Sequence, residues 1–452
     1  MADHLQVRGT YRNIFQLSIP IAISILIPQL NILTNTLFLG NYSPSDGLLH
    51  AQDLLSATGI AGIYYLTLTM IGYGLSSGVL MLMSRSAGKS DSLLLGKIFS
   101  NGVLLSLILS IFLMGVSWFL APYIFEHFIS NYPVKQAAIS FIKIRIWGLP
   151  FIMLCQLCNS FFLATSHSKR IIAGSAAQTV TNIVFDYLLI FGFSSFPEMG
   201  LNGAALASVF SEIIYLLVAL MVLVRTPFII SFQIHFSSKF DWPLIKETFV
   251  KSSPLIVQYF LSIGAWEVFF IFVEHLGKVE AATSQILRTV FGVVGIAAWS
   301  LGSTTNSMVS NLIGQQKEQE VIPLIHKVLL ISFSFAFLIG LGLFIFPSSF
   351  LQLISSDVAI IEVGENPLRI VVAATWMLSV STVYFNAVLG TGHTKVNMIF
   401  EMLAIIFYLG YCILVIEIWR KPLSYAWASE FVYWFSLFAM SSFYIYSGRW
   451  KK

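Results

Sequence analysis

The sequence predicts an all-α polytopic membrane protein with twelve transmembrane helices in two pseudo-twofold-related six-helix lobes. The first observation behind this prediction is composition, because 57% of the 452 residues are hydrophobic and only 10% are charged. Soluble domains carry about a quarter charged residues, so this composition excludes a soluble globular protein. The other two observations are the spacing of the apolar segments and an internal repeat.

Twelve apolar segments are each long enough to cross the bilayer as a helix, which takes about 20 residues. They lie at Ile14–Leu39, Ala57–Met83, Ile98–Ala121, Ala137–Leu163, Ile171–Gly192, Leu201–Val224, Pro254–Leu276, Thr283–Ile313, Leu324–Phe346, Leu368–Leu389, Val396–Ile418 and Ser424–Tyr446. The longest polar connector predicts an N-terminal lobe at 1–224, a cytoplasmic connector at 225–253 and a C-terminal lobe at 254–452. Apolar and charged residues interleave over Ser237–Ser253, which favours a short amphipathic helix on the inner membrane surface.

The distribution of basic residues predicts the orientation. The connectors after odd-numbered spans carry only Lys135, Lys278, Arg420 and Lys421, whereas the termini and even-numbered connectors carry most of the remaining Lys and Arg. Positively charged loops stay on the cytoplasmic side. We therefore expect both termini in the cytoplasm and the protein in the cytoplasmic (inner) membrane.

The two halves of the chain repeat each other. The sequence LATSHSK at Leu163–Lys169 recurs 226 residues later as LGTGHTK at Leu389–Lys395, and 226 is half of the chain length. Ser84 and Gly88 recur at the same offset as Ser310 and Gly314. Because six spans are an even number, both copies enter the membrane from the same side, and their symmetry axis is expected along the membrane normal.

A polar stripe in the fifth span is the strongest functional signal. Gln178, Asn182 and Asp186 are four residues apart and share one helix face. Asn31 and Asn35 make a similar face in the first span, at a depth where Asn35 and Asp186 can meet. Since an ionisable side chain inside the membrane is costly, we assign Asp186 a functional role. The alternative is that Asp186 only hydrogen-bonds neighbouring helices.

The residues around this stripe resemble the signature of the multidrug and toxic compound extrusion (MATE) transporters. The resemblance rests on Asn182–Tyr187 (NIVFDY), Gly192, Pro197, Met199-Gly200 and Gly203–Ser208, with further likeness at Thr36–Gly40 and Gly314-Gln315. It implies two lobes around a cleft that opens alternately to either side. It also implies export of bulky, often cationic amphiphiles, coupled to inward flow of H+ or Na+.

The resemblance also implies an ion site, with departures in this chain. Asn182 and Asp186 match the family residues of span five, but Asn35 stands where the family has an Asp in span one. A second branch of the family uses a Glu at the position of Ser262 and an Asp in span ten, which here contains no acid. Glu267 corresponds to a further span-seven Glu of plant members.

From the residues themselves, we expect Asp186, Asn182 and Asn35 to form the ion-coupling site. Their oxygens suit a hard cation such as Na+, and the carboxyl suits a proton equally. With a single carboxylate present, the hypothesis is that Asp186 alone carries the coupling charge, at most one cation per turnover. Apart from H+ or Na+ no cofactor is expected.

Other polar residues inside the spans are candidates for substrate binding, with hydrogen bonding between helices as the alternative. They are Gln29, Asn31, Asn159, Gln178, Glu212 and Glu267. Glu401 and Glu430 lie near span ends, which favours snorkelling or helix capping. Arg288 is expected to pair with an acid or to reach the interface.

The expected function is secondary-active export, with a small organic substrate and membrane lipid as partners and no nucleic acid. A monomer is expected. The sequence shows no nucleophile constellation, phosphate loop or metal-spaced His/Cys set, so we predict that it is not an enzyme. A channel or a membrane-embedded enzyme is a further functional class that the sequence leaves open.

The main alternative is a flippase for lipid-linked saccharides, which would need a strongly basic cavity. Only Lys143, Arg145 and Arg288 lie well inside a span.

Overall fold

A computed structural model describes residues 5–42, 51–193, 196–225, 241–354 and 357–451, together with Phe232 and Ile234. Within these ranges the regular structure is helical and contains no strand, which confirms the all-α fold class. Ten helical segments of the described residues are long and apolar enough to cross a membrane. The predicted fifth and twelfth spans also coincide with helices, at Lys169–Phe191 and Ser429–Tyr446. The chain is a multi-pass membrane protein.

The chain forms two compact units. We call Ile23–Met83 with Ser92–Ser252 the N-terminal unit, and Met1–Ala22 with Ser84–Asp91 and Ser253–Lys452 the C-terminal unit. The start of the first span and the end of the second thus group with the C-terminal half of the chain. The lobe boundaries predicted from the sequence, which follow chain order, stay a prediction.

Among the described residues, the first six predicted spans are built from eight helices. They are α1 (Tyr11–Leu26), α2 (Gln29–Gly40), α3 (Ala51–Gly88), α4 (Ser92–Phe128), α5 (Tyr132–Arg145), α6 (Leu149–Ala164), α7 (Lys169–Phe191) and α8 (Gly200–Val224). The first span is divided because Pro28, between α1 and α2, has no N–H for a helical hydrogen bond. The fourth span is divided at a 3-10 turn, Ile146–Gly148, after which Pro150 stands in the first turn of α6.

In the described part of the C-terminal half, the last six predicted spans are also built from eight helices. They are α9 (Trp242–Glu274), α10 (Lys278–Gly314), α11 (Val321–Ile345), α12 (Pro347–Ile354), α13 (Val358–Gly390), α14 (Thr394–Cys412), α15 (Leu423–Trp427) and α16 (Ser429–Tyr446). Their core surrounds the fully buried Trp427, whose indole N–H donates to Ser284 Oγ at 3.1 Å.

The start of α9 corrects the prediction of a separate amphipathic helix. The part of that segment before Asp241 lies outside the described residues. From Trp242 onward the helix runs without a break through Pro254 into the seventh span. Asp241 begins it, because its carboxylate accepts the backbone N–H of Leu244 at 3.2 Å. The apolar residues of the segment already follow the period of a helix, so the transmembrane helix simply starts earlier.

The internal repeat is confirmed in the backbone. The helices α3 and α10 end at residues 226 apart, and each is followed by a left-handed residue, Ser90 with φ 59° and Gln316 with φ 60°. The LATSHSK and LGTGHTK turns show the same correspondence, with Ser166 at φ 62° and Gly392 at φ 91°. Two unrelated segments would not repeat these uncommon conformations at one offset.

Candidate functional site

The structure brings Asp186 and Asn35 into contact within the N-terminal unit. Asp186 is completely buried in α7. The Asn35 amide nitrogen, when it faces the carboxylate, donates to Asp186 Oδ1 at 3.3 Å and also to Oδ2. Phe38 of α2 holds the two helices together through edge-on contacts with Tyr187 and Phe191 of α7. The predicted meeting of the two spans is confirmed.

The polar stripe of α7 faces protein. Gln178, Asn182 and Asp186 are all buried, whereas Val184 and Tyr187 on other faces of the helix are exposed. The amide nitrogen of Asn182 donates to Ser208 Oγ of α8 at 3.4 Å. A buried carboxylate with amide and hydroxyl neighbours is able to hold a proton or a small cation, which are the two chemistries expected from the sequence.

The Asp186 site is neither an ion pair nor a cluster of metal-binding side chains in the described part of the chain. No basic side chain of the described residues pairs with Asp186, since the ion pairs found there involve other acids. Nor do three His, Cys, Asp or Glu side chains converge anywhere in the described ranges. A cation at Asp186 would therefore take its remaining ligands from neutral oxygens, and Asn35 would have to turn its amide oxygen toward the ion in place of the nitrogen.

The predicted substrate-binding residues occupy varied environments. Gln29 is exposed, and Asn31, one turn before Asn35, has a buried Oδ1 without a hydrogen-bond partner among the described residues. Asn159 of α6 donates to the Tyr215 hydroxyl at 2.6 Å, and its own Oδ1 is likewise unpartnered. Their roles in substrate binding stay a prediction.

Glu212 forms an ion pair that the sequence did not reveal. Its two carboxylate oxygens accept from Arg145 Nη2 at 2.6 Å and Nη1 at 2.9 Å, and the Tyr65 hydroxyl donates to both. The Arg145 guanidinium also lies 3.7 Å from the centre of the Tyr65 ring. Gly148 is required beside this pair, since a Cβ there would lie 2.0 Å from Glu212 Oε2. The only sequence signal was two lone opposite charges in separate spans.

In the C-terminal unit, Glu267 pairs with Arg288 at 3.4 Å. The guanidinium of Arg288 lies over the rings of Trp266 and Phe270, at 4.7 and 4.9 Å from their centres. The prediction that Arg288 pairs with an acid is confirmed. A role of Glu267 toward a substrate stays a prediction.

The expectation that Glu401 and Glu430 snorkel is wrong, whereas Glu430 lies in the first turn of α16, as expected for helix capping. Both residues are only 2% exposed, because α14 and α16 pack along each other and cover them. Glu401 accepts a hydrogen bond from the Tyr433 hydroxyl. Glu430 accepts from the Trp434 indole N–H at 2.9 Å and the Tyr408 hydroxyl at 3.5 Å.

The chain is similar in sequence to known membrane transporters. The MatE family model matches residues 20–188 and 254–414. The chain is 20% identical over 448 residues to the probable multidrug resistance protein NorM of Thermotoga maritima, covering 98% of this chain and 93% of that protein.

Solved structures share the fold. One, described as the outward-facing conformation of a multidrug resistance MATE family transporter of the MOP superfamily, has a TM-score of 0.86 at 17% identity, covering 100% of this chain and 98% of that one. The eukaryotic MATE transporter AtDTX14 has a TM-score of 0.87 at 17% identity, covering 97% and 96%. At such low identity these likenesses show the fold alone.

Proposed function

Because this chain belongs to the MatE family, the multidrug and toxic compound extrusion (MATE) transporters, we propose that it exports amphiphilic organic cations by proton antiport. As a member of this family it is a membrane transporter and not an enzyme. The proposal concerns the finer points, namely the coupling ion, the residue that carries it and the charge of the substrate.

The complete burial of Asp186, with no basic side chain of the described residues at ion-pair distance, carries the proposal. An ionised carboxylate in such a place is expensive, so it favours binding a positive ion. Protonation or deprotonation of the Asp186 carboxyl therefore strongly changes the free energy of the protein around it. A transporter needs such a change to link ion movement to the movement of another molecule.

The contact with Asn35 favours H+ over Na+. With its nitrogen turned to the carboxylate, the Asn35 amide donates a hydrogen bond to Asp186, whereas a bound Na+ would require this amide to turn its oxygen toward the ion. The span-one carboxylate that the resemblance led us to expect is replaced by this donor. Asp186 then serves as the single coupling carboxyl of the N-terminal unit, with Asn182 and Asn35 positioning it.

A named relative and two buried amide oxygens support an organic cation as substrate. The T. maritima relative is named a probable multidrug resistance protein, and the amide oxygens of Asn31 and Asn159, which have no hydrogen-bond partner among the described residues, are available acceptors. A flippase for anionic lipid-linked saccharides is less well supported, because the guanidinium groups of Arg145 and Arg288 are paired with carboxylates. Lys143 is exposed.

The distribution of basic residues supports the inner membrane as the location, with both termini in the cytoplasm. In this orientation Asp186 and Asn35 lie nearer to the outer ends of their spans. A proton would reach them from outside and leave toward the cytoplasm, while the substrate moves out.

The test is ethidium transport in inverted membrane vesicles, with a pH gradient and a Na+ gradient imposed separately. We expect the pH gradient alone to drive accumulation in the wild-type protein. Asp186→Asn should lose at least about tenfold of this pH-driven rate, equivalent to about 1.4 kcal/mol.

Two further variants serve as controls in the same vesicles. Asp186→Glu keeps the carboxyl and should retain part of the transport. Glu126→Gln makes the same acid-to-amide change at an exposed position and should leave transport unchanged. If Asp186→Asn retains full pH-driven transport, or if only Na+ drives the wild type, the proposal is wrong.

A further inference from the structure

A second polar track crosses the C-terminal unit where α9, α14 and α16 meet. The Glu401 carboxyl of α14 accepts from the Tyr433 hydroxyl of α16. The hydroxyls of Tyr433 and Ser262, the latter from α9, are 3.1 Å apart. Three helices therefore contribute one polar group each to a connected track inside the bilayer.

The track continues one helical turn further along α9 and α14. Asn397 precedes Glu401 by four residues, and Gln258 precedes Ser262 by four, so each pair shares a helix face. The Asn397 amide nitrogen donates to Gln258 Oε1 at 3.0 Å. The pairs Gln258–Asn397 and Ser262–Glu401 thus form two successive polar layers between the same two helices.

This track holds an acceptor that its neighbours leave unused. Asn397 is completely buried, and its Oδ1 has no hydrogen-bond partner among the described residues. An unpaired amide oxygen in the interior is unfavourable, because it has lost its hydrogen bonds to water and gained none in the protein. The cost is removed if a proton-bearing ligand reaches it, and the Glu401 carboxyl is one turn away on the same face.

Glu401 differs from the buried acids whose negative charge is balanced by an arginine. Glu212 and Glu267 each have an arginine partner, whereas no basic side chain of the described residues pairs with Glu401. Its partners are hydroxyl groups. A buried carboxyl without a cationic neighbour is neutralised by binding a positive ion, and the smallest is a proton.

Among the described residues, no second carboxyl hydrogen-bonds to Glu401, whose partner is the Tyr433 hydroxyl of α16. Tyr433 in turn contacts Ser262 of α9, and the apolar Phe385 of α13 packs with Ala404 of α14 and Leu437 of α16. The Tyr408 ring lies 5.6 Å from the Tyr433 ring and its hydroxyl donates to Glu430, while Glu267 and Arg288 are paired with each other.

We propose that Glu401 is a second proton-binding site, so that the transporter exchanges two protons for each substrate molecule. The inference rests on the proposed antiport and revises the expectation of one cation per turnover. Asp186 serves the N-terminal unit and Glu401 the C-terminal unit. A proton taken up by Glu401 on one side of the membrane leaves on the other, and no covalent bond changes.

The experiment measures stoichiometry in proteoliposomes, with the purified full chain, ethidium as the probe, and the membrane potential held at zero by valinomycin and equal K+. Net ethidium flux then stops when the ethidium ratio equals the proton ratio raised to the number of protons exchanged. For one pH unit the balancing ethidium ratio is about 100 for two protons and about 10 for one.

We expect two protons for the wild type and one for Glu401→Gln. Glu401→Asp, which keeps a carboxyl, should restore two, and Tyr433→Phe, which removes only the donor, should keep two with a shifted pH profile of the rate. A merely structural Glu401 would change the rate and leave the balancing ratio alone. Size-exclusion profiles of each variant check that it is folded.

The outcomes separate the two proposals. A wild type that exchanges one proton, or a folded Glu401→Gln that still exchanges two, overturns the role of Glu401. An Asp186→Asn variant with unchanged stoichiometry overturns the role of Asp186 and leaves that of Glu401 standing. If Glu401→Gln does not fold, the wild-type value and Glu401→Asp still decide, because a wild type with one proton contradicts the proposal.

Discussion

At the scale of single residues, the chemistry of Asp186 depends on what Asn35 offers it. A carboxylate at position 35 would repel the Asp186 carboxylate and attract cations. An amide nitrogen there donates a hydrogen bond to Asp186 and attracts no cation. The two side chains are in contact in the structure. The side chain at position 35 of the first span therefore determines which atoms surround the Asp186 carboxylate of the fifth span.

We predict that Asn35→Asp introduces Na+ binding. A second negative charge within about 4 Å of a cation adds up to about 4 kcal/mol of attraction at an effective dielectric constant near 20. If about a third of this survives desolvation, Na+ affinity rises about tenfold. Na+-driven ethidium transport in inverted vesicles should appear in Asn35→Asp and not in Asn35→Ser, and its absence in both would contradict the argument.

The ion pair of Arg145 and Glu212 gives a second prediction at this scale, one of stability. Glu212 is 1% exposed, so Arg145→Met leaves a buried uncompensated carboxylate, which costs about 3–5 kcal/mol. The double variant Arg145→Met/Glu212→Gln removes both charges and should recover most of that loss. Thermal unfolding in detergent measures both, and equal destabilisation of single and double variants would show that the charge is not the cause.

At the scale of elements, the equivalent ends of α3 and α10 cross at equivalent glycines. A Cβ on Gly88 would lie 2.0 Å from the Asn311 carbonyl oxygen, and one on Gly314 would lie 2.2 Å from the Arg85 carbonyl oxygen. The N-terminal segment covers this crossing, since Val7 donates its backbone N–H to Asn311 Oδ1 at 3.0 Å and accepts from Gln315 at 2.9 Å. Backbone is in contact with backbone there, so neither helix has room to adjust.

We predict that Gly88→Ala lowers stability by about 1–3 kcal/mol or more, because the added methyl group forces two helices apart. The matched control is Gly115→Ala in α4, where a Cβ meets nothing within 4 Å. Both variants are compared by thermal unfolding and by the yield of folded protein. If Gly88→Ala is as stable as Gly115→Ala, the close crossing does not hold in the native protein.

At the scale of the whole molecule, duplication explains why uncommon backbone conformations recur. The left-handed residues after α3 and α10 are Ser90 and Gln316, and neither is a glycine. Their side chains differ, so the conformation belongs to the repeated turn and not to the residue type. A repeat of six spans also requires equivalent turns to lie on one side of the membrane.

The predicted orientation is testable with single cysteines. The three native cysteines, Cys155, Cys158 and Cys412, are free and buried, so background labelling should be low. Gln136 and Gln319 are exposed next to an odd and an even connector. A membrane-impermeant maleimide should label Gln136→Cys in intact cells and Gln319→Cys only after lysis. The reverse pattern would invert the orientation.

The sequence by itself determined the features that depend on local pattern. Apolar length defined the twelve spans, the repeat at a fixed offset defined the duplication, and helical periodicity placed Gln178, Asn182 and Asp186 on one buried face. These follow from the bilayer and from helix geometry, which act on neighbours in the chain.

Only the tertiary structure decided which polar groups meet across helices. The ion pair of Arg145 with Glu212 joins residues from separate spans, and so do the hydrogen bonds of Tyr433 with Glu401 and with Ser262. The position of Glu401 near a span end predicts an exposed side chain. In the structure the packing of α14 on α16 buries it. Two residues that contact each other through helix packing have no fixed separation in the sequence. A sequence pattern therefore does not predict that they are partners.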